Sequence, residues 1–168
     1  MKSNVIEKSN VNIGIEKKNR GEIAGMLNAL LADEYVLYTK TRNYHWNVVG
    51  PQFNDLHKFF EAQYEALNEF IDDVAERART VGGPAAGTLK EFVDMARLKE
   101  QPGVYPPAGK MIGDLLNDHE TIIRQLREDL NSAVEAYGDM GTSDFLTGLM
   151  EKHEKMAWML RSFISTEA

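Results

Sequence analysis

Between Gly50-Pro51, Gly82-Gly83, the loop at 101–107 and Gly138, the chain holds four long stretches in which apolar residues return every three or four positions and no proline intervenes. That period belongs to amphipathic helices, and strand-like alternation is nowhere convincing. In the first stretch Ile23, Leu27, Leu30, Leu31, Leu37 and Tyr38 predict a helix running to about Trp46, broken by Gly50-Pro51. The second, from about Phe53 to Val81, carries Leu56, Phe60, Tyr64, Leu67, Ile71, Val74 and Ala78 and stops at Gly82-Gly83. It is long, roughly 43 Å at helical rise. Thr88 and Glu91 have the spacing of a capping box, so a short helix should begin there and end near Arg97. Pro107 suits the first turn of a third long helix, which runs to Tyr137 and is stopped by Gly138. Thr142 or Ser143 can cap a fourth, from about Asp144 to Ile164.

Two helices, a long crossover with a short helix inside it, and two more helices form the layout of an all-α, ferritin-like four-helix bundle. The reading is one such domain over 21–168, preceded by a polar, mildly basic arm at 1–20. At 168 residues with 43% apolar and 27% charged side chains, a single buried core is the natural expectation. Cysteine is absent, so any metal chemistry must use His, Asp and Glu. Neither a signal-peptide core nor a span-length apolar run occurs, which predicts a soluble, cytoplasmic protein without a membrane partner. The net charge is −7, yet the arm holds Lys2, Lys8, Lys17, Lys18 and Arg20 against Glu7 and Glu16, a net +3 that leaves −10 for the body.

The residues that carry chemistry are His45, His57, Glu61, Asp72 and Glu76, at successive offsets of 12, 4, 11 and 4. On the second helix the last four fall within an arc of roughly 100°, one face. Glu61 and Asp72 nevertheless stand about 16 Å apart along the axis, too far for one ion bound at about 2 Å. One chain cannot make the site. The pairs 57/76 and 61/72 share the midpoint 66.5, so the face is symmetric about Ala66-Leu67. Two such helices packed antiparallel on a two-fold axis bring His57 and Glu61 of one chain to Asp72 and Glu76 of the other. Two identical sites result, roughly 22 Å apart. His45, just before the Gly50-Pro51 turn, can fold over as a further ligand. Imidazole and carboxylate without thiolate suit Fe(II), Mn(II) or Zn(II), and iron chemistry fits best.

The run Tyr44-His45-Trp46-Asn47-Val48-Val49-Gly50, continuing to Leu56-His57 and then Asp72-Asp73-Val74-Ala75-Glu76-Arg77, resembles the ferroxidase signature of the Dps family. The resemblance covers about residues 20–165. It implies a hollow dodecamer of four-helix bundles in which Fe(II) is oxidised at two-fold interfaces by hydrogen peroxide or oxygen and stored as a ferric mineral. By the same resemblance His45, His57 and Glu61 of one subunit act with Asp72 and Glu76 of its mate. Position 61 departs from the pattern, with Glu where Asp is the better-known ligand. Glu135, Asp139 and Asp144 match the region where this family lines three-fold pores with acids; the simpler alternative makes Asp139 and Asp144 turn and first-turn residues. The family also contains DNA-compacting proteins, a role that here would fall to the basic arm, since an acidic body repels duplex.

Trp46, Tyr38, Tyr44 and Tyr64 read as packing, with electron supply to an oxidising site as the alternative. Met150, Met156 and Met159 read as core filler. His119 and His153, flanked by Asp118, Glu120, Glu151 and Glu154, read as surface or cavity-wall residues.

Overall fold

In a computed structural model that describes residues 11–164, every regular element is a helix. They are α1 (Lys17–Asn47), α2 (Phe53–Thr80), α3 (Leu89–Met95), α4 (Ala108–Glu135) and α5 (Met140–Ile164). The four long ones build the bundle expected from the periodicity. Helix α1 packs on α2, α3 and α4, and α4 pairs with α5. Leu27, Leu37, Leu56, Phe60, Leu67, Leu115, Ile122, Leu126, Leu146 and Leu160 are fully buried between them.

The helix ends follow local chemistry. At the end of α2, Gly82 takes φ +92°, a region costly for any residue with a Cβ, while a Cβ on Gly83 would lie 2.2 Å from that of Ala24. The Gly-Gly pair therefore both stops α2 and lets the chain pass close to α1. Thr88 and Glu91 form the expected capping box at α3, each satisfying the other's backbone amide. The fourth long helix begins four residues before the expected Asp144, because Asp139 caps it. Its carboxylate accepts from the Thr142 amide at 2.9 Å, while Thr142 itself is buried as a donor to the same group.

The first helix begins at Lys17, so Lys17, Lys18 and Arg20 lie on α1 rather than in an arm. Arg20 Nη1 donates to the Val81 carbonyl at 3.3 Å, tying that end of α1 to the end of α2. Lys2, Glu7 and Lys8, the other arm charges apart from Glu16, fall outside the described residues. The crossover is held from below by Asp33. Its buried carboxylate accepts from the Arg97 and Leu98 amides at 2.6 and 3.0 Å and pairs with Arg97 Nε at 2.6 Å.

His119 and His153 are not on the surface: both are 0% exposed. Their acidic neighbours are no guide to this: Asp118 is itself buried and paired with Lys40, while Glu120, Glu151 and Glu154 lie exposed or half-buried on other faces of the two helices. The three- and four-residue spacing of Leu115, His119, Ile122 and Leu126 on α4, and of Leu146, Met150, His153, Ala157 and Leu160 on α5, is the signal that places both in the core stripe. There His119 Nδ1 lies 2.9 Å from His153 Nδ1, and His153 Nε2 lies 2.8 Å from Oε1 of the equally buried Glu34. Met150 and Met156 are buried as expected, whereas Met159 is partly exposed.

Candidate metal centre

The centre is assembled by a helix reversal. Helix α1 continues through His45 and is closed when the Val48 amide donates to the Tyr44 carbonyl; Gly50-Pro51 then turns the chain so that α2 runs back along α1. His57 consequently lands on His45, with the two rings parallel to within 18° and their centroids 3.8 Å apart.

The hydrogen bonds decide the tautomers. His45 Nδ1 lies 2.7 Å from the His57 carbonyl and His57 Nδ1 lies 2.9 Å from the His45 carbonyl. A carbonyl only accepts, so each Nδ1 carries the proton and each neutral ring keeps its lone pair on Nε2. Backbone orientation of an imidazole in this way is the usual preparation of a metal ligand. Aromatic neighbours close both ends of the stack: Phe53 lies on His57 at 5.1 Å and Tyr64 stands edge-on to His45 at 5.3 Å. His45 is buried and His57 half-buried.

Glu61, one turn beyond His57, is half-buried, and the Tyr64 hydroxyl donates to its Oε1 at 3.4 Å. Partial desolvation, with Glu61 and Glu65 adding to it against the Arg42 cation, raises the Tyr64 pKa. The neighbouring Tyr44 turns the other way into the bundle, where its hydroxyl donates to Asp114 at 3.2 Å. Burial, reinforced by Asp114, pushes its pKa well above the ordinary phenol range, so it stays a donor. Tyr44 is thus packing, as expected, whereas Trp46 is 64% exposed, with the Arg42 guanidinium 5.1 Å from its ring.

The chain therefore brings His45 and His57 together beside Glu61, and does not bring Asp72 or Glu76 to them. Both of those carboxylates are exposed further along α2. Among the described residues, no three His, Asp or Glu side chains of one chain converge closely enough to hold an ion. Asp139 is not an available pore acid either. It is buried, held by Arg77 Nη2 at 3.0 and 3.2 Å, and spent on capping α5, whereas Glu135 and Asp144 remain exposed. Although burial opposes it, hydrogen bonds from Thr142 and the Arg77 cation hold the Asp139 carboxyl below the usual range.

A family profile for the ferritin-like domain matches residues 24–168. A DNA protection during starvation protein of Bacillus anthracis is 36% identical over 144 residues, 86% of this chain and 97% of that one. The chain belongs to the Dps family. A solved Dps protein of Vibrio cholerae, described as a member of a broad superfamily of ferritin-like diiron-carboxylate proteins, superposes with a TM-score of 0.86. It shares 32% identity, covering 94% of this chain and all of that one. A low temperature-induced protein of Nostoc is 50% identical over 92% of this chain and 86% of its own length. The Dps fold is thus matched along nearly the whole chain. No helix among the described residues is long and apolar enough to cross a membrane.

Proposed function

We propose that this chain is a mini-ferritin with ferroxidase activity. Two copies pair antiparallel along α2, and their interface builds two centres at which the substrate Fe(II) is oxidised by hydrogen peroxide or oxygen. Twelve copies enclose a hollow shell that stores the ferric product, in the cytoplasm, as protection against oxidative damage. Membership of the Dps family supports iron storage in general. The observation that carries the finer reading is the His45–His57 stack, with both Nδ1 atoms committed to backbone carbonyls.

Two imidazole nitrogens and the Glu61 carboxylate leave an Fe(II) short of ligands within one chain. Asp72 and Glu76 of the partner subunit supply the hard oxygen donors that complete a mixed nitrogen and oxygen set. Peroxide needs two electrons and two protons to become two waters, and each Fe(II) gives one electron. Two Fe(II) at one centre therefore reduce it without releasing hydroxyl radical. The ring stack holds the imidazoles ready, so little reorganisation is needed when iron arrives.

Co-assembly tests the shared site. Both His57→Ala subunits and Asp72→Ala/Glu76→Ala subunits oxidise iron only slowly on their own in this scheme. A mixed dimer carries one doubly damaged and one intact centre, so activity should return in proportion to the fraction of mixed dimers. Verified mixed dimers that stay inactive would show that the centre is not shared between subunits.

The Bacillus anthracis relative is named for DNA protection, and a second reading is that this chain protects DNA by binding it. With Lys17, Lys18 and Arg20 on α1, the segment before that helix holds two basic and two acidic side chains, Lys2 and Lys8 against Glu7 and Glu16. Such a segment neutralises few phosphates, and only multivalency across a shell can amplify it. The expected gel-shift result is weak, sequence-independent binding at low salt that vanishes by about 0.15 M and on deletion of residues 2–16. Tight binding that survives the deletion would place the DNA surface on the body instead.

A further inference from the structure

We propose that the buried file Glu34–His153–His119 is an acid-sensitive latch between the two halves of the bundle, closed at neutral pH and opened in mild acid by uptake of one further proton. Its effect on stored iron rests on the shell reading above; the latch itself does not.

Helices α1 and α2 form one hairpin, α4 and α5 the other. His119 Nδ1 and His153 Nδ1 stand 2.9 Å apart inside the second hairpin, and His153 Nε2 reaches across to Glu34 Oε1 of the first at 2.8 Å. All three side chains are fully buried. One proton fits between the two Nδ1 atoms and one between His153 and Glu34. A third, at either end of the file, makes the cluster as a whole neutral, the state that an apolar core favours. A fourth leaves a net positive charge in the core, or sets two Nδ1–H groups against each other. The closed file has no place for it.

The two ends of the file, His119 Nε2 and Glu34 Oε2, are buried without a partner among the described residues, as are both amide atoms of Gln63. The contacts of Tyr64 with Tyr38 and of His57 with His45 set Gln63 opposite Thr39 of α1. Those of Lys40 with Asp118 and of Tyr44 with Asp114 set Thr39 level with His119. The four unpartnered atoms thus fall within roughly two helical turns of the core, the layer that gains most hydrogen bonds when water enters.

The charges around the file are turned elsewhere. Asp33, beside Glu34, pairs with Arg97, and Asp118, beside His119, pairs with Lys40. Glu120 and Glu154 pair with Arg161 and Arg127 on the outside. From α2 the file meets the Phe70 ring, which the Lys152 ammonium overlies at 4.9 Å, and α3 meets α1 through Phe92 on Tyr35. Burial, then the nearby His153, holds the His119 pKa well below the ordinary imidazole range. Opening removes that restraint, so the open form takes up a proton below about pH 6.5 that the closed form refuses. Opening is therefore favoured as pH falls, by up to about tenfold per unit. Burial also raises the Asp118 pKa against the pull of Lys40, so that pair weakens in acid as well.

The test compares the assembled, iron-free protein with Glu34→Met/His119→Leu/His153→Leu, which keeps Lys40 and Asp118. Hydrogen–deuterium exchange is read by mass spectrometry at about pH 7.5 and about pH 5.5 and corrected for intrinsic exchange. Peptides spanning residues 34, 119 and 153 should open about tenfold more readily at the lower pH in the unaltered protein, and less than about twofold more in the variant. Equal increases in both would assign the acid response to Lys40–Asp118 or other groups; no increase in the unaltered protein would overturn the latch outright. If the triple variant does not assemble, His119→Leu, which leaves the Glu34–His153 bond in place, must show the same loss of response, and a full response there overturns the proposal equally. After iron loading, release to a ferric chelator at the lower pH should be at least about fivefold faster from the unaltered protein than from the variant, and equal at the higher pH. Equal release at both values, from proteins that differ in exchange, would overturn the effect on iron. Failure of both proteins to store iron would overturn the shell reading and leave the exchange result standing.

Discussion

Fe(II) oxidation by peroxide in His57→Ala is expected to run roughly 100-fold slower than in the unaltered protein, while the shell still assembles. The substitution removes one Nε2 ligand and one of the two reciprocal bonds, from His57 Nδ1 to the His45 carbonyl. The other bond survives, because His45 Nδ1 donates to the backbone of residue 57 and any side chain leaves that carbonyl in place. His45 should thus keep its tautomer but lose the ring stacked against it. Since His57 is only half-buried, the cost in stability should be small beside the loss of activity. Stopped-flow ferric absorbance at two Fe(II) per centre, with size-exclusion chromatography for assembly, separates the two effects. A rate within twofold of the unaltered protein would remove His57 from the ligand set.

In the bundle interior the largest expected effect is on stability. His153→Ala should destabilise the fold by about 3 kcal/mol or more, because it strands the buried Glu34 carboxylate and opens a cavity beside Phe70. Replacing the cluster together, as Glu34→Met/His119→Leu/His153→Leu, should cost far less, since no uncompensated polar group is left behind. Guanidinium unfolding compares the two variants, and equal losses would mean that packing rather than charge dominates. The cluster also predicts a pH dependence. Burial, followed by the nearby His153, holds the pKa of His119 well below the ordinary imidazole range. The unfolded chain therefore takes up a proton below about pH 6.5 that folded His119 refuses. The stability linked to this group is fully present above that pH and falls as pH drops, by up to about 1.4 kcal/mol per unit. His119→Leu should flatten this part of the curve between pH 6.5 and 5, and an unchanged slope would show that other groups produce it.

Much of this molecule was legible in the chain itself. Apolar period and glycine or proline stops located the four long helices to within a few residues at most ends, because those signals act over one or two turns. The capping box at Thr88 and Glu91 is equally local. That Glu61 and Asp72 cannot share an ion follows from helix rise alone, and the symmetric spacing about Ala66-Leu67 needs no coordinates. What required the tertiary structure were contacts between residues far apart in the chain. Nothing near His153 announces Glu34, 119 residues away on α1, and the acidic neighbours of both core histidines pointed the other way. Asp139 looked like a free turn acid until Arg77, from another helix, was found holding it. The tautomers of His45 and His57 depend on two carbonyls that meet the rings only when α2 folds back along α1. Sequence period decides which face of a helix turns inward; which partner waits there is decided by the packing of one helix against another.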